Sequence, residues 1–101
     1  MAGSTVIFET AKFTMGYTSG SVPATELRLK WGTVSGSYPN TKVYPVSASQ
    51  QALVNTVVPN PGQYYAILVA ANAVGEGSKS AELPFVAASG VPDGSVALSI
   101  G

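Results

Sequence analysis

Glu9, Glu26, Glu76, Glu82 and Asp93 are the only carboxylates in this chain of 101 residues, which contains neither cysteine nor histidine. Acid–base chemistry would therefore have to come from a carboxylate pair set on either side of a scissile bond. No two of the five fall at a spacing that places them together on one predicted strand face beside a pocket. The missing thiols and imidazoles remove disulfides, thiolate nucleophiles, zinc sites of the Cys/His type and the usual general base near neutral pH. Gly75-Glu76-Gly77 has the glycines of a phosphate loop but neither its following lysine nor a helix whose N-terminus would receive the anion. A hairpin turn is the better reading. The inventory points away from an enzyme and toward a protein with no cofactor and no metal.

Charge narrows the partners. Five acids balance five bases, and charged residues make up 10% of the chain, against about 25% in an average domain. A chain of zero net charge sets up no field for a phosphate backbone or an anionic bilayer, so nucleic acid is not expected as a partner. No apolar stretch approaches the roughly 20 residues that span a bilayer, and the N-terminus lacks the pattern of a secretory signal. Ala2 stands where a myristoylation motif needs glycine. None of the four asparagines is followed by Ser or Thr two places on, so none is an N-glycosylation acceptor. Serine, threonine and glycine take the place of charge, a composition that suits secreted β-modules and subunits packed in large assemblies.

The period of the pattern is two. Val6 and Phe8, then Phe13, Met15 and Tyr17, alternate with polar residues, as one bent strand or two. Leu27, Leu29 and Trp31 face one way while Glu26, Arg28 and Lys30 face the other, the firmest strand in the chain. Val43, Tyr44 and Val46 resume an extended pattern, which Pro45 confines to a sheet edge or ends. Ala52 to Val58 reads as a further strand, with a helix over 47–55 the weaker reading, and Pro59-Asn60-Pro61-Gly62 turns the chain. Tyr64 to Val74 is an apolar run stopped by Gly75 and Gly77, the expected central strand, and Ala81 to Val86 follows it. Gly90, Pro92, Asp93 and Gly94 then break the chain before Val96, Leu98 and Ile100, which alternate with small residues. Seven or so strands with turns every 8 to 12 residues and no clear helix predict a single antiparallel β-sandwich. Its expected extent is residues 1–86, with a tail over 87–101 that carries a further strand at 95–100.

At this point residues 25–85 resemble a fibronectin type III domain, an immunoglobulin-like sandwich. That family carries a tryptophan at the end of its second strand, as Trp31 stands here, and a tyrosine about a dozen residues later in its third, as Tyr44 does. Its sixth strand reads Tyr-x-x-x-(apolar)-x-Ala-x-Asn-x-x-Gly-x-Gly-x-x-Ser, matched by Tyr64, Leu68, Ala70, Asn72, Gly75, Gly77 and Ser80. The resemblance implies that Tyr64 forms a tyrosine corner, its ring in the core and its hydroxyl on nearby backbone. It implies that Trp31 fills the space between the sheets. Asn72, Gly75 and Gly77 are expected to allow positive dihedral angles in the following hairpin. The motif thus reports folding and not chemistry. The hairpin has no Arg-Gly-Asp triplet, so integrin-type adhesion is unsupported.

Two features remain for function. If Tyr64, Ala66, Leu68 and Ala70 face inward, then Tyr65, Ile67 and Val69 face outward, where a free sandwich shows polar side chains. An apolar outer stripe is expected to meet a partner, unless extra strands of the chain or polar residues of a neighbouring strand cover it. The tail, through Val96, Leu98 and Ile100, is suited to adding a strand to a neighbour's sheet edge. The expectation is a non-enzymatic structural subunit that attaches to itself or to a larger protein shell. The chain begins with a methionine and shows no export signal. Standalone sandwich domains of this kind occur in bacteriophage particles, so the resemblance implies a virion surface protein, in capsid decoration or tail. The alternative is a carbohydrate- or protein-binding module of a secreted or cell-surface protein, with Met1 to Ser4 as an added leader and Tyr17, Tyr38 and Tyr65 as stacking platforms.

Overall fold

A computed structural model describes residues 3–92 and 95–100. The alternating stretches form eight strands: β1 (Ser4–Ile7), β2 (Lys12–Met15), β3 (Glu26–Gly32), β4 (Asn40–Tyr44), β5 (Gln50–Leu53), β6 (Gly62–Ala71), β7 (Glu76–Lys79) and β8 (Leu83–Ala88). The larger sheet has the order β1-β8-β6-β3-β4, with β7 also against β6, and the smaller pairs β2 with β5. The architecture is an all-β sandwich. It departs from a purely antiparallel one, because β1 runs parallel to β8, Ser4 beside Phe85 and Ile7 beside Ala88. Parallel strands need a long connection, and the intervening chain provides it.

The N-terminal pattern resolves into two strands on different sheets. The N–H groups of Thr10 and Ala11 both reach the Ile7 carbonyl, and this turn carries the chain from β1 across to β2. Counting the extra strand, Trp31 stands on the third strand and not the second, and Tyr44 on the fourth and not the third. Its strand β3 pairs directly with β6, Leu29 opposite Leu68 and Trp31 opposite Ala66. This is how the tryptophan-bearing C strand and the F strand lie in an immunoglobulin sandwich.

Alternation on β2, β3, β6 and β8 sends Phe13, Met15, Leu29, Tyr64, Ala66, Phe85 and Ala87 into one core. Phe13 meets Phe85 edge to face at 5.3 Å, Tyr64 stacks on Phe85 at 5.7 Å, and half-buried Trp31 meets Tyr64 edge to face at 5.5 Å. Such ring pairs contribute about 0.5–1.5 kcal/mol each beyond their buried area. The Tyr64 hydroxyl donates to the Asn60 carbonyl at 2.6 Å, which ties the preceding turn to the core.

Three expected strands end elsewhere. The run from Ala52 stops at Leu53, where a 3₁₀ turn over Val54–Thr56 begins. Val54 and Val58 both enter the core, and the turn between them is closed by the N–H groups of Val57 and Val58, which both donate to the Val54 carbonyl at 3.0 Å. β6 stops at Ala71 because the Asn72 side chain accepts from the N–H groups of Val74 at 2.9 Å and Gly75 at 3.3 Å. That Asx turn ends the ladder. Only Gly75 of the three turn residues has a positive φ, 154°, so the expectation for Asn72 and Gly77 is corrected: Asn72 acts through its side chain, and Glu76 and Gly77 lie within β7. Ser80 carries the ladder onward, its N–H donating to the Leu68 carbonyl at 2.8 Å and its hydroxyl accepting from the Leu68 N–H at 2.9 Å. β4 ends at Tyr44, directly before Pro45, and is an edge strand of the larger sheet, β1 lying at the other end.

β8 continues through Ala88, past the expected boundary at residue 86. Residues 95–100 lie in no strand, so the extra strand expected there does not form on this chain. The expected turn residues Asp93 and Gly94, and the leader residues Met1 and Ala2, lie outside the described residues.

Candidate functional site

The outward stripe of β6 is where the sequence places an interface, and the structure corrects this. Ile67 is 8% and Val69 is 3% exposed, so neither is free to meet a partner. Their cover comes from the adjoining strand. The register sets Arg28 beside Val69 and Lys30 beside Ile67 on the same face, where the aliphatic stems of long cations lie over apolar neighbours and keep their charged ends in water. Glu76, on β7, fixes those ends: it accepts from Arg28 Nη1 at 2.9 Å and from Lys30 Nζ at 2.7 Å, and Arg28 Nε donates to Glu26 at 2.6 Å. Lys30 and then Arg28 hold the Glu76 carboxyl below its ordinary range, while Glu26 and Glu76 raise the guanidinium of Arg28.

A second polar clamp sits farther along the same sheet. Glu82 accepts from the Tyr38 hydroxyl at 2.6 Å, the Ser35 hydroxyl at 2.7 Å and the Gly36 N–H at 2.9 Å. These bonds tie the β3–β4 loop to the approach of β8. They hold the Glu82 carboxyl below its ordinary range, the Tyr38 bond foremost, and the same carboxylate raises the Tyr38 phenol. Tyr65, half-buried, lies opposite Gly32 and Pro84 on this face. Of the three stripe residues, none remains a clean exposed contact.

The opposite, inward face is the one left open. Leu83 shares the face of Phe85 and Ala87 but is 51% exposed, and Leu68 and Ala70 are only half-buried. The cause is the narrowness of the smaller sheet, two strands where an immunoglobulin sandwich has three or four. A groove of about 250 Å³ runs beside β2, lined by Phe13, Met15, Leu68, Ser80 and Leu83 among others. It continues, through Gly16, Leu68 and Ser80, into a wider cleft of about 760 Å³ between the Gly16–Ala24 loop and the β6–β7 hairpin.

Val96, Leu98 and Ile100 are 100, 101 and 100% exposed. The chain leaves the sandwich near the start of β2, since the Gly90 N–H donates to the Glu9 carboxylate at 2.8 Å and holds that carboxyl below its ordinary range.

The fold-motif residues serve packing and turns, as their bonds above describe. Tyr44 differs: its hydroxyl is buried with no hydrogen-bond partner among the described residues, and burial raises the phenol. The tyrosines proposed as stacking platforms make no ring contact with one another among the described residues. The Tyr17 hydroxyl accepts from the Ala24 N–H, and that of Tyr38 is held by Glu82. Two carboxylates that the sequence leaves apart, Glu26 and Glu76, converge on Arg28, and only Glu76 of the pair lines the cleft. Among the described residues no group of three or more Asp or Glu is placed to hold a metal, and no helix is long and apolar enough to cross a membrane. Comparison with protein-family models, with curated proteins and with solved structures gives no match.

Proposed function

We propose that this chain is a non-enzymatic structural subunit, a single sandwich that attaches through its C-terminal arm to copies of itself or to a larger protein shell. One observation carries the reading: three large apolar side chains, alternating with small residues, stand fully exposed beyond the sandwich. Burying each of them is worth about 1.5–3 kcal/mol, and alternation at period two is what a sheet edge accepts. The scarcity of surface charge supports it, as does the engagement of Glu9, Glu26, Glu76 and Glu82 in structural bonds. The fibronectin type III resemblance of residues 25–85 extends the proposal to a setting, a virion surface, by analogy with standalone sandwich domains of bacteriophage particles. The arm, and not the outer stripe of β6, is the attachment element.

The mass of the full chain in solution, measured by light scattering over a tenfold range of concentration beside a chain lacking residues 95–101, tests the reading. The full chain is expected to self-associate and the shortened one to be monomeric, both unfolding cooperatively, with the midpoint of the full chain alone rising with concentration. Loss of cooperative unfolding on shortening would place the tail in the core and overturn the proposal.

A further inference from the structure

The arm needs an acceptor, and the sandwich itself carries one. β2 is paired along one side only, with Phe13 opposite Ala52 and Met15 opposite Gln50 on β5. The Val54 N–H donates to the Ala11 carbonyl. Because hydrogen-bonded pairs alternate along an antiparallel ladder, Ala11, Phe13 and Met15 are the residues whose backbone faces β5. The N–H and C=O groups of Lys12 and Thr14 point to the other side, where no strand lies among the described residues. An immunoglobulin sandwich has a further strand at this position, its A strand beside B. Here the first strand has instead joined the opposite sheet, next to β8.

We propose that residues Ser95–Ile100 of a second copy enter the groove beside β2 and add to its free edge as an extra strand. This rests on the reading of the tail as an arm and names what the arm binds. Six residues at about 3.3 Å each span roughly 20 Å, enough to follow β2 and pass Gly16. Alternate side chains then separate by face. Val96, Leu98 and Ile100 fall on the groove floor, over Ala66, Leu68 and the half-exposed Leu83, and Ala97 and Ser99 face water beside Lys12 and Thr14. Neither the segment 95–100 nor the groove lining carries a charge, so closing them together strands no unpaired ion. In one chain both halves stand uncovered, the tail at full exposure and Leu83 at half. Such an exchange is head to tail, so copies close into a ring or grow into a fibre according to the angle between them.

Two variants of the full chain disable one half each. Thr14→Pro removes an N–H on the open side, which the ladder to β5 does not use, and deletion of 95–101 removes the arm. Each alone is expected to be monomeric, Thr14→Pro raising the dissociation constant roughly tenfold or more. Mixed, they should form a one-to-one heterodimer, because one keeps the arm and the other keeps the edge. Gln51→Pro, on the open side of β5, should leave association unchanged. If Thr14→Pro associates like the unaltered chain while the deletion is monomeric, the arm reading survives and the β2 assignment falls. If the deletion associates as the full chain does, both fall; if the full chain is monomeric at every concentration, the second-copy assignment falls and the arm is left to a larger shell.

A cross-link guards against a misfolded proline variant, since the chain has no cysteine of its own. Chains carrying Thr14→Cys, mixed under oxidation with chains carrying Ala97→Cys or Ser99→Cys, should yield mixed disulfide dimers. Thr41→Cys, on the far edge strand β4, should not replace Thr14→Cys. Disulfides that form only within one doubly substituted chain would mean the arm closes on its own sandwich, which overturns the second-copy assignment.

Discussion

The two faces of β6 invert the expectation for a sandwich. Toward the C-terminal end of the strand, outward-facing Ile67, Val69 and Ala71 are buried, whereas inward-facing Leu68 and Ala70 are only half-buried. The outer face is sealed by the chain's own cations, whose stems cover apolar neighbours while Glu76 fixes their charged ends. The inner face is under-covered because the opposing sheet is two strands wide. Burial therefore follows what lies across from a residue and not the side of the sheet it occupies, and the surface free for a partner is on the side that a sandwich normally closes.

Substitutions can break or sharpen this contrast. The largest loss is expected from Phe85→Ala, at the well-packed end of the inner face, which should cost about 3–5 kcal/mol in denaturant unfolding. Ile67→Ala should cost about 2–4 kcal/mol, and a near-zero loss there would return the outer stripe to the solvent and reopen it as an interface. Leu83→Ala, on the nominally inner face, should cost less than about 1 kcal/mol to the isolated sandwich because half its surface is already exposed. It should nonetheless weaken self-association, and that split between stability and binding is the contrast in a single residue. Tyr44→Phe removes a buried hydroxyl without a partner and should be neutral or stabilising by up to about 1 kcal/mol.

The smallest effect is on pH. Glu76 and Glu82 titrate below the ordinary carboxylate value of 4.5 in the folded chain. Their contribution is therefore complete above the unfolded value and is lost as pH falls through the depressed folded values. Thermal midpoints should stay level through neutral pH and fall in acid, less steeply in Glu76→Gln. Tyr38, through its bond to Glu82, and Tyr44, through burial, are raised above 10.0, so the fold favours their neutral forms: no loss is expected below that pH, and stability falls as pH rises through the folded values.

Much of the fold was legible in the residues. The alternation of Glu26 to Trp31, the length of the run from Tyr64 and the placing of Tyr64 after a Pro-Gly turn all read directly as a sandwich strand, a central strand and a tied corner. The site was less legible. Glu26, Arg28 and Lys30 were plain as a charged face, but only the pairing of β3 with β6 puts that face over Ile67 and Val69, and period-two patterns do not specify which strands are neighbours. The open edge of β2 was invisible for the same reason. Nothing in Ser4–Ile7 says that it joins β8 and not β2, yet that choice leaves β2 bare. The tail reads as a strand from its alternation after a glycine–proline break, but 95–100 lie in no strand and their apolar side chains stand exposed.

The parallel pairing of β1 with β8 also bears on synthesis. The strand made first finds its partner in Phe85–Ala88, among the last residues of the sandwich to be made, so Ser4–Ile7 waits unpaired on the ribosome until nearly the whole domain has emerged. A sheet whose closing pair spans the chain forms late and slowly, and until it forms the nascent chain offers one more open edge to its neighbours. The pairing of β1 with β8 is thus the step at which folding of the sandwich and mispairing of its edges compete.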